Sequence, residues 1–223
     1  MSESIIALNM SRERPASTAS GYVMLVVLLA GLAVAVWGFF GLVGDKADGG
    51  SLLALIGGSL AAGFVACGFY MLQPNQAAAI TLFGDYQGTD RSTGLRWVLP
   101  WLIRKKVSVR AHNFISDKIK VNDLRGNPIE MAAQIVWRVV DTAQALFDVD
   151  DYKEFVRVQV EAAIRAIGAR HPYDDFTHGD ITLRGHIEEV GVELLKELRA
   201  RLSVAGITVD ECGFTHLAYA QEI

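Results

Sequence analysis

Hydrophobic positions divide this chain into three stretches of different period. From Gly21 to Val43 it reads GYVMLVVLLAGLAVAVWGFFGLV, and no charged residue lies between Arg14 and Asp45. At about 1.5 Å per residue such a run crosses a hydrocarbon core of about 30 Å, which predicts a transmembrane helix over 21–43. Leu52 to Leu72 is a second uncharged run and predicts a span over 52–72, with the polar turn Gly44 to Ser51 between them. The two read as a hairpin. A cleaved leader has a shorter apolar core and no tandem partner, so it does not fit. Small residues recur four apart at Gly31 and Ala35, Gly57 and Ala61, Gly58 and Ala62, and Gly63 and Cys67. Such spacings let helix backbones approach closely, though they also arise simply from Ala/Gly-rich composition.

After Gln73-Pro74-Asn75-Gln76 the period shortens. Ala77 to Phe83, Leu95 to Leu99, Arg104 to Ala111, Phe114 to Val121 and Ile129 to Val140 read as strands, punctuated by Gly84, Gly94, Pro100, Asn113 and the turn Asp123 to Pro128. Val107, Val109 and Ala111 alternate with Ser108 and Arg110, as in a sheet with one wet face. From Asp150 to Ala169 the period lengthens to that of a helix whose apolar face is Tyr152, Phe155, Val156, Gln159, Ala162, Ala163 and Ala166, with Asp150 and Asp151 at its positive end. A second helix is predicted from Leu183 to Ser203 on Leu183, Ile187, Val190, Leu194, Leu198 and Leu202, with Gly206 as its terminator. Ile207, Val209 and Phe214 predict a last strand. The fold class is α+β, strands first and helices later. No internal repeat or low-complexity tract is present.

Composition sharpens this picture. The chain has 223 residues, 51% of them hydrophobic, and a net charge of −4. Roughly 140 residues remain beyond the apolar head, enough for a core. Nine basic and two acidic residues (Asp117, Asp123) lie between Arg91 and Arg125, whereas acidic residues outnumber basic ones sixteen to eight between Asp141 and Glu222. Arg12 and Arg14 before the first span, and Arg91, Arg96, Arg104, Lys105 and Lys106 after the second, predict that both termini and the soluble region face the cytoplasm. Trp97, Trp101, Arg104, Lys105 and Lys106 combine indole rings with a basic cluster, the composition of an interfacial anchor facing an anionic leaflet. The competing reading puts Trp97 and Trp101 in the core.

The residues give little support to an enzyme. Ser92, Ser108, Ser116 and Ser203 lack the Gly-x-Ser-x-Gly setting of a hydrolase nucleophile. His112, His171, His178, His186 and His216 include no pair three to five residues apart, so no metal ligand set is expected, and each reads as a surface or turn residue. Asp174 and Asp175 could be paired carboxylates, but read more simply as a turn and helix-capping cluster. Cys67 and Cys212 lie in dissimilar contexts and are expected to stay unpaired. No phosphate loop occurs, and neither a cofactor nor a catalytic residue is expected. An acidic soluble region tethered at a membrane argues against nucleic acid as a partner. The alternatives are a membrane-bound hydrolase and a subunit of a transport complex; the latter is weakened by spans without an ionisable residue.

The ordered set of Pro74-Asn75, Leu82-Phe83-Gly84-Asp85-Tyr86, Gly94-Leu95 leading to Leu99-Pro100-Trp101, Asn127-Pro128-Ile129-Glu130 leading to Ile135-Val136-Trp137-Arg138-Val139, Ala143 to Phe147, the Tyr152 to Arg165 helix and Ala205-Gly206-Ile207-Thr208-Val209 resembles the stomatin/prohibitin/flotillin/HflK superfamily, also called SPFH or band 7. The resemblance implies a non-enzymatic membrane scaffold with a membrane-proximal β-rich subdomain (73–125) and a distal α/β subdomain (126–223), behind a tail (1–20) and the hairpin (21–72). It also implies a homo-oligomeric ring or cage that organises a membrane microdomain. Some bacterial members regulate membrane proteases such as FtsH, which makes such a protease an expected partner and a bacterial inner membrane the expected location. Two features depart from the family pattern: a hairpin where many relatives carry one anchor, and no long helical segment after Tyr219. Either the sequence is a truncated form, or assembly draws on the domain and the hairpin.

Overall fold

The computed structural model describes residues 11–44, 48–174 and 181–220. Asp45 and Lys46 of the predicted turn, Asp175, His178 and the last three residues lie outside them. The chain forms two compact units, one of Arg14–Ser108 and one of Val109–Ile223 together with the N-terminal residues up to Glu13. The boundary therefore falls at Ser108, earlier than the expected 125, and the first strands share a unit with the two apolar helices.

In the first, helix-bearing unit, α1 (Gly21–Val43) has the predicted bounds, and α2 (Gly49–Cys67) starts and ends earlier than predicted. Asp48 caps α2, its carboxylate accepting from the Ser51 amide at 2.8 Å and the Ser51 hydroxyl at 2.7 Å. Phe69–Leu72, predicted as the end of the second span, is a strand instead. Hydropathy alone does not distinguish a buried strand from the end of a helix.

The helices pack antiparallel. A β-carbon on Gly58 would lie 2.6 Å from the Ala35 nitrogen and 2.7 Å from the Gly31 oxygen, so only glycine allows this approach. The Gly31/Ala35 and Gly58/Ala62 pairs thus face each other, while Gly57 and Gly63 have nothing within 4 Å of the same position. Both helices are long and apolar enough to cross a membrane, and their other faces expose Leu, Val and Phe side chains.

Two three-stranded antiparallel sheets complete this unit. In one, β5 (Gly94–Trp97) lies between β1 (Ala19–Ser20) and β2 (Phe69–Leu72). In the other, β3 (Gln76–Leu82) lies between β4 (Asp85–Asp90) and β6 (Ile103–Ser108). Tyr70, Leu72, Ala78, Ile80 and Val98 form the core, with Ala16 and Leu102 against it. Part of the expected N-terminal tail is built into this unit, because Pro15 bridges Thr89 and β1 pairs with β5.

In the second, long-strand unit, β9 (Pro128–Val139) and β10 (Ile207–Tyr219) pair from Ile207 opposite Val139 to Tyr219 opposite Ile129. The other edge of β9 takes β7 (His112–Ile115) and β8 (Ile119–Asn122), where one continuous strand was expected from Phe114 to Val121. A short α3 (Thr142–Phe147) follows β9, and α4 (Tyr152–Arg170) and α5 (Ile187–Leu202) pack on the sheet. α4 buries Val156, Val160, Ala163, Ile164 and Ile167, so its inner face is rotated from the predicted one toward the branched residues. α5 begins at Ile187, while Leu183 is buried in the preceding turn, its amide donating to Pro172. Gly206, at φ 64°, reverses the chain into β10, as expected of the terminator.

Candidate membrane-interface site

Strand β5 organises the region around the helix ends. Its Trp97 stands opposite Ala19 on one side and Phe69 on the other. Ala19 belongs to the strand that runs into α1, and Phe69 to the strand that leaves α2. The start of α1 and the end of α2 are thus tied to one strand, which fixes both on the same side of the helical pair.

Three of the five predicted interface residues gather at the end of α2. The indole nitrogen of Trp97 donates to the Val65 carbonyl at 2.8 Å, and its ring meets Phe64 edge-on with centroids 6.3 Å apart. The Trp101 ring centroid lies 5.7 Å from that of Phe64, yet half the residue is exposed. Arg104 donates to the carbonyls of Gly68 and Phe69, at 3.3 Å each, and lies 5.8 Å from the Tyr70 ring centroid. A guanidinium there completes the open end of α2 and suits the negative pole of its dipole. Lys105 and Lys106 are exposed further along β6, opposite Ala79 and Ala78, and as neighbours in a strand they point to opposite faces. Trp97 is therefore a half-buried brace and Trp101 a partly exposed ring.

Beneath these residues lies a polar cluster that the sequence did not disclose. Asp90 is 4% exposed and accepts from the Tyr70 hydroxyl at 2.6 Å, the Ser92 amide at 2.9 Å, Arg96 Nε at 3.0 Å and the Thr18 hydroxyl at 3.2 Å. Arg96 also donates to Thr18. Burial alone would raise the Asp90 pKa, but the bonds from Tyr70, Ser92 and Arg96 outweigh it and hold the carboxyl below its ordinary range. Burial, and then the bond to Asp90, push the Tyr70 phenol far up. Tyr70 was hidden because it sits inside the uncharged run read as a helix. The four partners come from three separate stretches of sequence, so no spacing links them.

The remaining candidates in the long-strand unit have structural partners. His171 lies 2.7 Å from a Glu193 oxygen, His186 accepts from the Thr182 amide at 3.2 Å, and the His112 ring stacks on Trp137. His216 is 3.8 Å from Glu130. Asp174 pairs with Arg184 at 3.1 Å and does not cap α5, whose N-cap residue is His186. Asp151 does cap α4, accepting from the Lys153 and Glu154 amides, whereas the expectation also included Asp150. Cys67 and Cys212 are both free thiols, and burial pushes that of Cys212 up to about 11. Among the described residues no group of three His, Cys, Asp or Glu could hold a metal ion.

Residues 70–223 match the SPFH domain / Band 7 family. No curated protein matches the sequence.

Proposed function

Because the chain belongs to the SPFH domain / Band 7 family, we propose that it is a multi-pass membrane scaffold that assembles into a homo-oligomeric ring or cage. The observation that carries this reading is the attachment of both apolar helices to the single strand β5. If the helices span a bilayer, the chain enters and leaves on one face and carries its SPFH domain there. The basic flanks favour the cytoplasmic face of a bacterial inner membrane, by the excess of Arg and Lys next to the spans. Trp97, Trp101 and Arg104 then lie at headgroup level, and Lys105 and Lys106 add positive charge to the strand that leads away from it. The ring would organise a membrane microdomain and hold a membrane protease of the FtsH kind. No reaction is assigned to it.

The test is the native mass of the full chain extracted in mild detergent, together with the identity of what co-purifies. A discrete large homo-oligomer with a membrane protease attached is the expected outcome. A monomer that turns over a hydrolysable substrate would overturn the scaffold reading. Protease treatment of sealed vesicles tests the orientation separately, since cleavage within 109–220 should occur only when the cytoplasmic face is outside.

A further inference from the structure

We infer that the turn between β3 and β4, with Phe83 at its tip, is a second point of lipid contact that inserts into the same leaflet from which α1 and α2 emerge. The turn has two central residues, Phe83 and Gly84, between Leu82 and its partner Asp85. Both have positive φ, 49° and 95°, as a tight hairpin of this length requires. Gly is the ordinary occupant of the first position because a β-carbon is disfavoured there, and Asn follows because its short polar side chain can hydrogen-bond locally. A phenylalanine in a left-handed conformation is usually explained by packing. Here it is 90% exposed, so among the described residues no packing repays the conformation.

Topology puts this ring on the helix side of its unit. Thr81 stands opposite Ile103, at the start of β6, and Arg104 beside it donates to the carbonyls of Gly68 and Phe69 just past α2. Trp101, two residues before Ile103, packs on Phe64 in the last turns of α2. The β3–β4 turn and the loop before β6 therefore reach the level of the helix ends together. The exposed side chains there include four large apolar ones, Phe83, Leu99, Trp101 and Ile103, together with Asp85, which accepts from the Gln87 side chain at 2.8 Å. At the opposite end of the same strands, the connections are Gln73-Pro74-Asn75 and Arg91-Ser92-Thr93, all exposed and none a large apolar residue except proline. Asn75 also has positive φ, 58°, with a side chain suited to it.

The occupant is lipid because this apolar rim is continuous, through Trp101 and Phe64, with the outward faces of helices long enough to span a bilayer. An aromatic tip beside an indole and lysines matches the amphipathic layer between headgroups and acyl chains. The inference rests on the reading that α1 and α2 are membrane-embedded.

The experiment uses the full chain with Cys67→Ala and Cys212→Ala, reconstituted in phosphatidylcholine vesicles containing phosphatidylglycerol. A nitroxide is attached at Phe83→Cys, Asn75→Cys or Leu29→Cys, and its collisions with oxygen and with a water-soluble nickel chelate are compared. Leu29 is an exposed position within α1. Position 83 should favour oxygen several-fold over position 75, and position 29 more strongly still. If 29 is lipid-exposed while 83 matches 75, this inference fails and the anchor reading stands. If 29 is also in water, both fail. A Phe83→Trp variant avoids a labelled cysteine in the turn: lipids brominated near the headgroup should quench its added fluorescence, and an unquenched signal would overturn the inference.

Discussion

The two units achieve stability by different means. In the long-strand unit, two strands of twelve and thirteen residues are covered by α4 and α5, and its interior holds Ile129, Ile135, Ile164, Ile167, Leu194, Leu198 and Leu202, all nearly inaccessible. Such a core gains from sheer apolar area, and conservative changes of shape within it are tolerated. In the helix-bearing unit the strands are four to seven residues long outside β1, and the middle of β3 is Ala77-Ala78-Ala79, wholly buried. Little large apolar surface is available there. That unit relies instead on a buried ion pair and on glycine contacts between helices, where a single atom matters.

Asp90→Ala is the strongest way to break this contrast. It leaves the Arg96 guanidinium and the Tyr70 hydroxyl without their buried acceptor, and stranding one side of a buried pair costs about 3 to 5 kcal/mol. Trp137 is the sole tryptophan of the long-strand unit, whereas Trp37, Trp97 and Trp101 belong to the other. Denaturant unfolding in detergent, followed in tryptophan-to-phenylalanine variants that retain one group or the other, should show the Trp97/Trp101 transition moving to lower denaturant and the Trp137 transition shifting less. Equal shifts would mean that the two units unfold as one.

Acid should act on both units. The Asp90 carboxyl is held below its ordinary range by the bonds already described. In the long-strand unit, Asp123 is also held low: burial would raise its pKa, but the Tyr173 amide, the Asn127 side chain and amide, and the Arg125 amide outweigh it. A depressed folded pKa contributes stability that is complete above the unfolded value and is lost as pH falls through the folded one. Stability should therefore be flat above about pH 5 for these groups and fall as pH drops below about 4, where unfolded aspartate begins to protonate. Asp90→Asn should flatten that fall for the Trp97/Trp101 signal and leave it for Trp137.

Gly58→Leu probes the helical pair. Its side chain would meet the backbone of α1, so the helices must separate, at a cost of about 1 to 3 kcal/mol typical of overpacking. Gly57→Leu is the control, since that position faces open space. Thermal unfolding in detergent should separate the two variants; equal melting temperatures would mean that the close approach contributes nothing.

These positions also explain what could be read from the sequence. Long runs of one period declared themselves: α1 over its full length, α5 from Val190 to Leu202, and β9. The end of α2 was misread because Phe69-Tyr70-Met71-Leu72 is as apolar as a helix and is instead the edge strand paired with β5. β4, Asp85-Tyr86-Gln87-Gly88-Thr89-Asp90, was missed because its polar side chains have partners only in the folded unit, as Asp90 does. Of the candidate site, the indoles and Arg104 were legible by composition. The acidic partner that fixes Arg96 was not, because it comes from a strand with no apolar pattern.

The smallest effect comes from a cap, and it tests the sequence-local part of the comparison. Asp141 accepts from the Ala143 and Gln144 amides at 2.9 and 3.0 Å, closing the start of α3, and its other oxygen accepts from the Glu13 amide at 3.1 Å. The Glu13 carboxylate in turn accepts from the Thr142 amide at 2.8 Å and from its hydroxyl at 2.9 Å. Two chain segments far apart in sequence thus cap one short helix reciprocally. Asp141→Ala should cost about 1 kcal/mol, the usual value of a lost N-cap. The Asp151 carboxylate, which caps α4 from an exposed position, bonds only to the local Lys153 and Glu154 amides among the described residues. If the contact to Glu13 matters, Asp141→Ala should lower the Trp137 midpoint more than Asp151→Ala and should also speed amide hydrogen exchange at Glu13. Equal midpoints with unchanged exchange would reduce Asp141 to an ordinary cap and leave the N-terminal segment to its other contacts, the Glu13 carboxylate on Thr142 and the Ser11 amide on Asp148.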